Sequence, residues 1–128
     1  MKKYIGIKMI TAELEGENYK VIYGEGLYFF QPKDIFERTY MSIEDETTIS
    51  LEDVKFFMGE PTSRKIDSKT TLVSVETKTG FVQHETASCV DPVNFNVEIG
   101  KEIATEKLSN RLFDHLGFVL QWARFGLK

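Results

Sequence analysis

At 128 residues the chain has the length of one compact domain, and its 41% hydrophobic and 28% charged residues exclude global disorder. A formal net charge of -4 excludes a general binder of DNA or RNA polymers, which counterion release selects to be basic. A single Cys excludes an intrachain disulfide, no Cys/His spacing suits zinc, and no metal or cofactor is expected.

The first segment, "KYIGIKMITAEL", places Ile5, Ile7 and Met9 on alternate positions, with Lys8 and Thr11 interrupting the apolar run, which predicts a strand rather than a signal peptide. "YKVIYGEGLYFF" reads as two strands joined at Gly24-Glu25-Gly26. Tyr28, Phe29 and Phe30 alternate along the second, so at least one faces solvent or another subunit. In "QPKDIFERTY", Pro32 suits the first helical position, and Ile35 and Phe36 are expected to pack the short helix on the sheet.

Residues 41–49 are an acidic connector. Ser50 and Asp53 form a capping-box pattern that starts a helix, "LEDVKFFM", ended by Gly59 and Pro61. "PTSRKIDSK" reads as a polar loop. A second hairpin follows, "TTLVSVET" and "FVQHETASCV" flanking Lys78-Thr79-Gly80. From Pro92 the period becomes helical, with Phe95, Ile99, Ile103, Leu108 and Leu112 tracing one face. Gly100 inside that helix implies close packing on another element, and Gly117 is expected to break the helix before an apolar C-terminal segment.

The expected fold is therefore α+β: a small antiparallel sheet from two hairpins packed with a long amphipathic helix and an apolar C-terminal helix. It is one compact domain over residues 1–128. Residues 1–40 form a β-rich part, 41–69 a connector with a short helix, and 70–128 the second hairpin and C-terminal helices. The C-terminal segment is more apolar than so small a domain easily buries, which points to a homo-oligomer. No apolar run approaches the roughly 20 residues of a membrane-spanning helix, and a cytoplasmic location is expected.

Three residues invite a catalytic reading: His84, Cys89 and Asp91. Five positions separate His84 from Cys89, so a regular strand points them to opposite faces and no Cys–His couple forms. A non-enzymatic protein is expected. Asp91 and Pro92 suit an N-cap and the position after it, which leaves Asn94 and Asn96 without a role in the helix. A helix start with spare amides can hold a polar ligand, and the Asp91 carboxylate can accept from ribose hydroxyls. Phe81, directly after a turn glycine, suits core packing or base stacking. Arg111, read as lying near the end of the long helix, suits the helix dipole or a clamp on phosphate oxygens.

The stretch "TLVSVETKTGFVQHETASCVDPVNFNVEIGKEIATEKLSNRLFDHLGFVLQ" resembles a family of small tailed-phage and prophage proteins. The resemblance covers roughly residues 50–123, and "CVDPVNFNVEIGKEIA" is its specific core. "KYIGIKMITAE" and "GLYFFQPKDIFERTY" resemble a short phage sequence type more loosely, with Gln31 where a capping Ser stands there. The family includes Thoeris anti-defence protein one, a sponge for the glycocyclic ADP-ribose signal of TIR-domain proteins. Some members hold cyclic oligonucleotides of CBASS defence. "HETASCV" departs from the family's "GES.CV" pattern through His84 and Glu85.

The resemblance implies a phage-encoded anti-defence protein that sequesters a cyclic ADP-ribose-type signal in the host bacterial cytoplasm without degrading it. It further implies an oligomer, a dimer or trimer of dimers, with pockets at subunit interfaces. Adenine is then expected on Phe81 or on an aromatic such as Tyr28, ribose at Asp91 and Asn94, and pyrophosphate at Arg111 with Arg124. The competing expectation is an inhibitor that docks a host protein through its apolar C-terminal helix.

Overall fold

A computed structural model describes residues 1–128 and confirms the α+β class. Its contacts divide the chain into two units. One comprises residues 1–43 with 119–128, the other residues 44–118.

In the first unit, β1 (Thr11–Glu15), β2 (Asn18–Ile22) and β3 (Tyr28–Pro32) form an antiparallel sheet in that order. The loop at Gly24–Gly26 joins β2 to β3, and all three of its residues have positive φ, which glycine tolerates best. The ladder runs from Thr11↔Ile22 to Glu15↔Asn18. Of the strand expected over residues 3–14, only Thr11–Leu14 forms within the chain, as part of β1. β2 ends at Ile22, so nothing remains opposite the residues before Thr11. Val21 is fully buried in this sheet.

Pro32 caps α1 (Lys33–Thr39) rather than occupying its first turn. The Lys33 N–H donates to the Glu17 carbonyl at 3.0 Å, which ties the helix start to the β1–β2 turn. Phe36 packs α1 on the sheet, its ring stacked on Tyr19 with centroids 3.9 Å apart. Ile35, expected beside it, is exposed.

In the second unit, α2 (Leu51–Met58) starts with the expected reciprocal cap. The Asp53 N–H donates to Ser50 Oγ at 3.0 Å, and the Ser50 N–H to Asp53 Oδ2 at 2.9 Å. Val54 and Met58 form its buried side, and the helix ends at Gly59. The segment read as a polar loop contains β4 (Thr62–Lys65), which pairs with β5 (Thr70–Glu76). Its polar sequence hides it because an edge strand keeps most of its surface in water. β5 and β6 (Val82–Ser88) form the expected hairpin, and the order is β4-β5-β6. Two three-stranded sheets thus replace the single sheet read from two hairpins.

Asp67 closes the β4–β5 turn, accepting from the Lys69 N–H at 2.8 Å. That backbone hydrogen bond, then one from the Thr70 side chain, holds its carboxyl below the usual aspartate value. A lowered value in the folded state means support that is present at neutral pH. It is lost as pH falls through the ordinary value of about 3.9 and below. Asp67→Ala should therefore lower the urea midpoint at neutral pH, and that difference should vanish in strong acid.

The last helix, α3 (Val97–Phe125), is continuous through Gly117. An interior glycine costs about 1 kcal/mol relative to Ala, too little to end a helix whose Leu116 and Leu120 are buried on either side. Its buried stripe is Ala104, Leu108, Leu112 and Leu116, spaced by four. Ile99 and Ile103, assigned to that stripe by spacing, are 56% and 45% exposed. Gly100 explains the shift. A Cβ built on it would lie 2.4 Å from Thr71 Oγ1, so the helix turns this bare position onto β5 and the isoleucines to the flank.

Candidate functional site

Between β6 and α3 the chain makes two caps in succession. The Cys89 N–H donates to the Lys69 carbonyl at 2.9 Å, which extends the sheet by one residue. Asp91 then caps a single 3-10 turn, Pro92–Asn94, its Oδ1 accepting from the Val93 N–H at 3.0 Å. Phe95 ends that turn. Asn96 starts α3, its Oδ1 accepting from the N–H groups of Glu98 and Ile99 at 3.0 and 3.1 Å. Asp91 is thus the cap of the short turn and Asn96 the cap of the long helix, two helix starts where the residue pattern suggested one. Asn96 is fully accounted for by this role.

These caps wall a cleft. Cys89, Asn94, Phe95 and Asn96 form one side, Lys69, Thr71, Ala87 and Ser88 the floor, and Ile99, Gly100 and Ile103 the helical side. Its volume is about 70 Å³. Lys65 sets its ammonium 4.6 Å from the centre of the Phe95 ring. Thr71 Oγ1, at the base, is buried with no hydrogen-bond partner. The cleft offers an aromatic edge, amides, a hydroxyl and a nearby cation, which is the chemistry of polar-ligand binding. The Cys89 thiol donates to the Asp91 carbonyl at 3.2 Å, while the His84 ring meets Ser74 Oγ at 2.6 Å on the other face of the strand.

Of the residues singled out by sequence, Asn94 lines the cleft, whereas Asp91 does not line it and caps the turn that carries Asn94. Phe81 lies at the far end of the hairpin, 66% exposed, its carbonyl accepting from the Thr77 N–H. The seven residues of β6, roughly 23 Å of extended chain, and then Cys89 and Val90 separate it from Asp91. One chain cannot bring both to one small ligand.

Arg111 sits in the middle of α3, not near its end, so the helix dipole does not explain it. Its guanidinium pairs with the Glu85 carboxylate and donates to the His84 carbonyl at 3.1 Å. One turn earlier, Lys107 Nζ donates to the Thr86 carbonyl at 3.0 Å. Both cations cover the open edge of β6. Tyr28 and Arg124 belong to the first unit. Tyr28 lies edge-on to Phe30 with Lys20 4.5 Å from its ring centre, and Arg124 lies over Phe125.

Residue pattern marks none of Lys65, Lys69 and Thr71 as a site residue, and it marks Ile99 only as a core position. The one signal that leads to them is Gly100, whose bare position brings α3 onto Thr71.

The chain matches the model of the Phage protein (N4 Gp49/phage Sf6 gene 66) family over residues 5–123. It belongs to that family. The match takes in the cleft-forming stretch and both hairpins, well beyond the segment on which the phage resemblance rests most specifically. No curated protein and no solved structure matches the chain. No helix of this phage-family protein is long and apolar enough to cross a membrane.

Proposed function

We propose that this phage-family protein binds and sequesters a cyclic nucleotide immune signal of the glycocyclic ADP-ribose type, without degrading it, and so blocks Thoeris effector activation. The observation that carries this reading is the cleft lined largely by residues of "CVDPVNFNVEIGKEIA", the specific core of the sponge-like resemblance. At about 70 Å³ it is far smaller than the roughly 300–1,000 Å³ of pockets that enclose a drug-sized ligand. A pocket completed by a second copy resolves the shortfall. It also resolves the separation of Phe81 from Asp91, because each can serve a ligand alongside residues of the partner. Phe81 is an exposed shelf for adenine, Asn94 and Asp91 face ribose, and Arg111 exchanges Glu85 for pyrophosphate oxygens.

The test is retention. Protein incubated with TIR-generated signal is washed on a filter and then heat-denatured, and intact signal should appear only after heating. Phe81→Ala, which removes an exposed ring and no core contact, should weaken binding about 5- to 150-fold, the equivalent of the roughly 1–3 kcal/mol of a stacked base. No retention by the parent protein would refute the reading, and release of a chemically altered signal would replace it with an enzyme.

A second reading is favoured by one observation. Phe118 and Leu127 are 71% and 81% exposed in the C-terminal segment that the sequence marks as apolar. An inhibitor that docks a host protein through this helix would use Phe118, with Leu127 just beyond the helix end at Phe125. Arg111→Ala separates the two readings, since it should abolish nucleotide retention and leave a helix-mediated protein contact largely intact.

A further inference from the structure

Residues 2–10 carry a strand's alternation, yet they make no hydrogen bond or ion pair within the chain. Tyr4 and Ile5 are 90% and 82% exposed. This segment runs directly into β1, whose only ladder is with β2, so its other edge is open. Ile7, Met9 and Ile10 are half-buried, so the segment is exposed mainly at its start. A β-segment continuous with an open edge is a template for pairing, and here only its lysines, with no proline, blunt it. Charge narrows the partner. Lys2, Lys3 and Lys8 precede β1, and Glu13 and Glu15 follow within it. The chain therefore carries both halves of a complementary edge on one continuous strand, which suits an isologous contact between two identical copies.

The geometry points to a two-fold dimer in which residues 2–15 of two copies pair antiparallel, edge to edge, with Met9 at the axis. The axis of such a pair stands perpendicular to the sheet, so opposed residues must lie on the same face. Odd positions then meet odd positions and even meet even. An axis at Lys8 would place that lysine opposite itself. An axis at Ile10 would set both Ile5 and Ile7 against carboxylates. The axis at Met9 sets Lys3 opposite Glu15 of the partner subunit, twice by symmetry. Tyr4 meets Leu14 of the partner subunit, Gly6 meets Ala12 of the partner subunit and Ile7 meets Thr11 of the partner subunit. It leaves Ile5 against a carboxylate and Lys8 against Ile10 of the partner subunit. The result is one sheet of three strands from each copy, with the β1 edge of each copy paired and the β3 edges at its two ends. This dimer draws no residue from the cleft, so a dimer that retains no nucleotide leaves it standing, whereas a monomer counts against both this contact and a pocket shared between copies.

The test uses the full chain without nucleotide, in a Cys89→Ser background that removes the only native thiol. Opposed Cα atoms in an antiparallel pair are about 4.5–5.5 Å apart, within disulfide reach. Met9→Cys should therefore form a covalent dimer under mild oxidation. Ile5→Cys, eight residues out of register with its own copy, should not. Lys3→Glu should weaken the dimer roughly tenfold in sedimentation by placing like charges opposite. Combining it with Glu15→Lys should restore association. A monomer in sedimentation, an oligomer in which Met9→Cys links no faster than Ile5→Cys, or a charge exchange that restores nothing would each overturn the proposal.

Discussion

Replacing Gly100 with Ala should destabilise the protein by about 1–3 kcal/mol, although helix propensity alone predicts a gain of about 1 kcal/mol. The two effects compete at a single carbon. An added Cβ would lie 2.4 Å from Thr71 Oγ1 and 2.8 Å from Thr71 Cβ, both closer than real Cβ contacts allow. Thr71 cannot step aside cheaply, because it is fully buried in the central strand of its sheet. Overpacking should win, and denaturant midpoints of the variant should fall. Adding Thr71→Ala should recover part of the loss, since it removes the oxygen contact and leaves the Cβ contact. A Gly100→Ala protein as stable as the parent would mean that α3 lifts from β5 without cost. Asn94, Ile99 and Gly100 all line the cleft, so the same substitution should also disturb ligand retention.

Leu108→Ala should cost about 2–5 kcal/mol, the range for a leucine removed from a closed core. Leu108 is fully buried at the centre of the α3 stripe, between Ala104 and Leu112. Ile103→Ala is the informative comparison. A reading by spacing gives Ile103 and Leu108 equal standing, whereas the structure leaves Ile103 45% exposed. Its loss should cost about 1 kcal/mol or less, in line with partial burial. Equal costs in urea titrations would mean that α3 is turned by part of a helical step from the orientation described.

The features legible in sequence are those whose partners lie within about four residues. Ser50 and Asp53 cap each other across one helical turn. The Lys78–Gly80 turn closes with the Gly80 N–H on the Thr77 carbonyl. Asp91 accepts from a backbone group two residues on. In each case the residue type and its spacing carry the whole interaction. The same local logic undersold Asn96, a cap that looks like a spare amide when the helix is placed five residues early, at Pro92.

What the sequence by itself determined is the α+β class, the two hairpins, the capped α2, the suspicion that Gly100 packs closely, and the phage-family stretch around Asp91. All rest on local patterns or on a contiguous motif. What only the tertiary structure decided is which side of each element is buried and what each charge meets. Arg111 pairs with Glu85 across 26 residues, and no periodicity reports that pairing. β4 exists because β5 offers it a ladder, not because its own residues favour a strand. Residues 4–10, which do favour one, remain unpaired because β2 ends too soon. A strand needs a neighbour to satisfy its backbone, and only the assembled chain decides whether one is there.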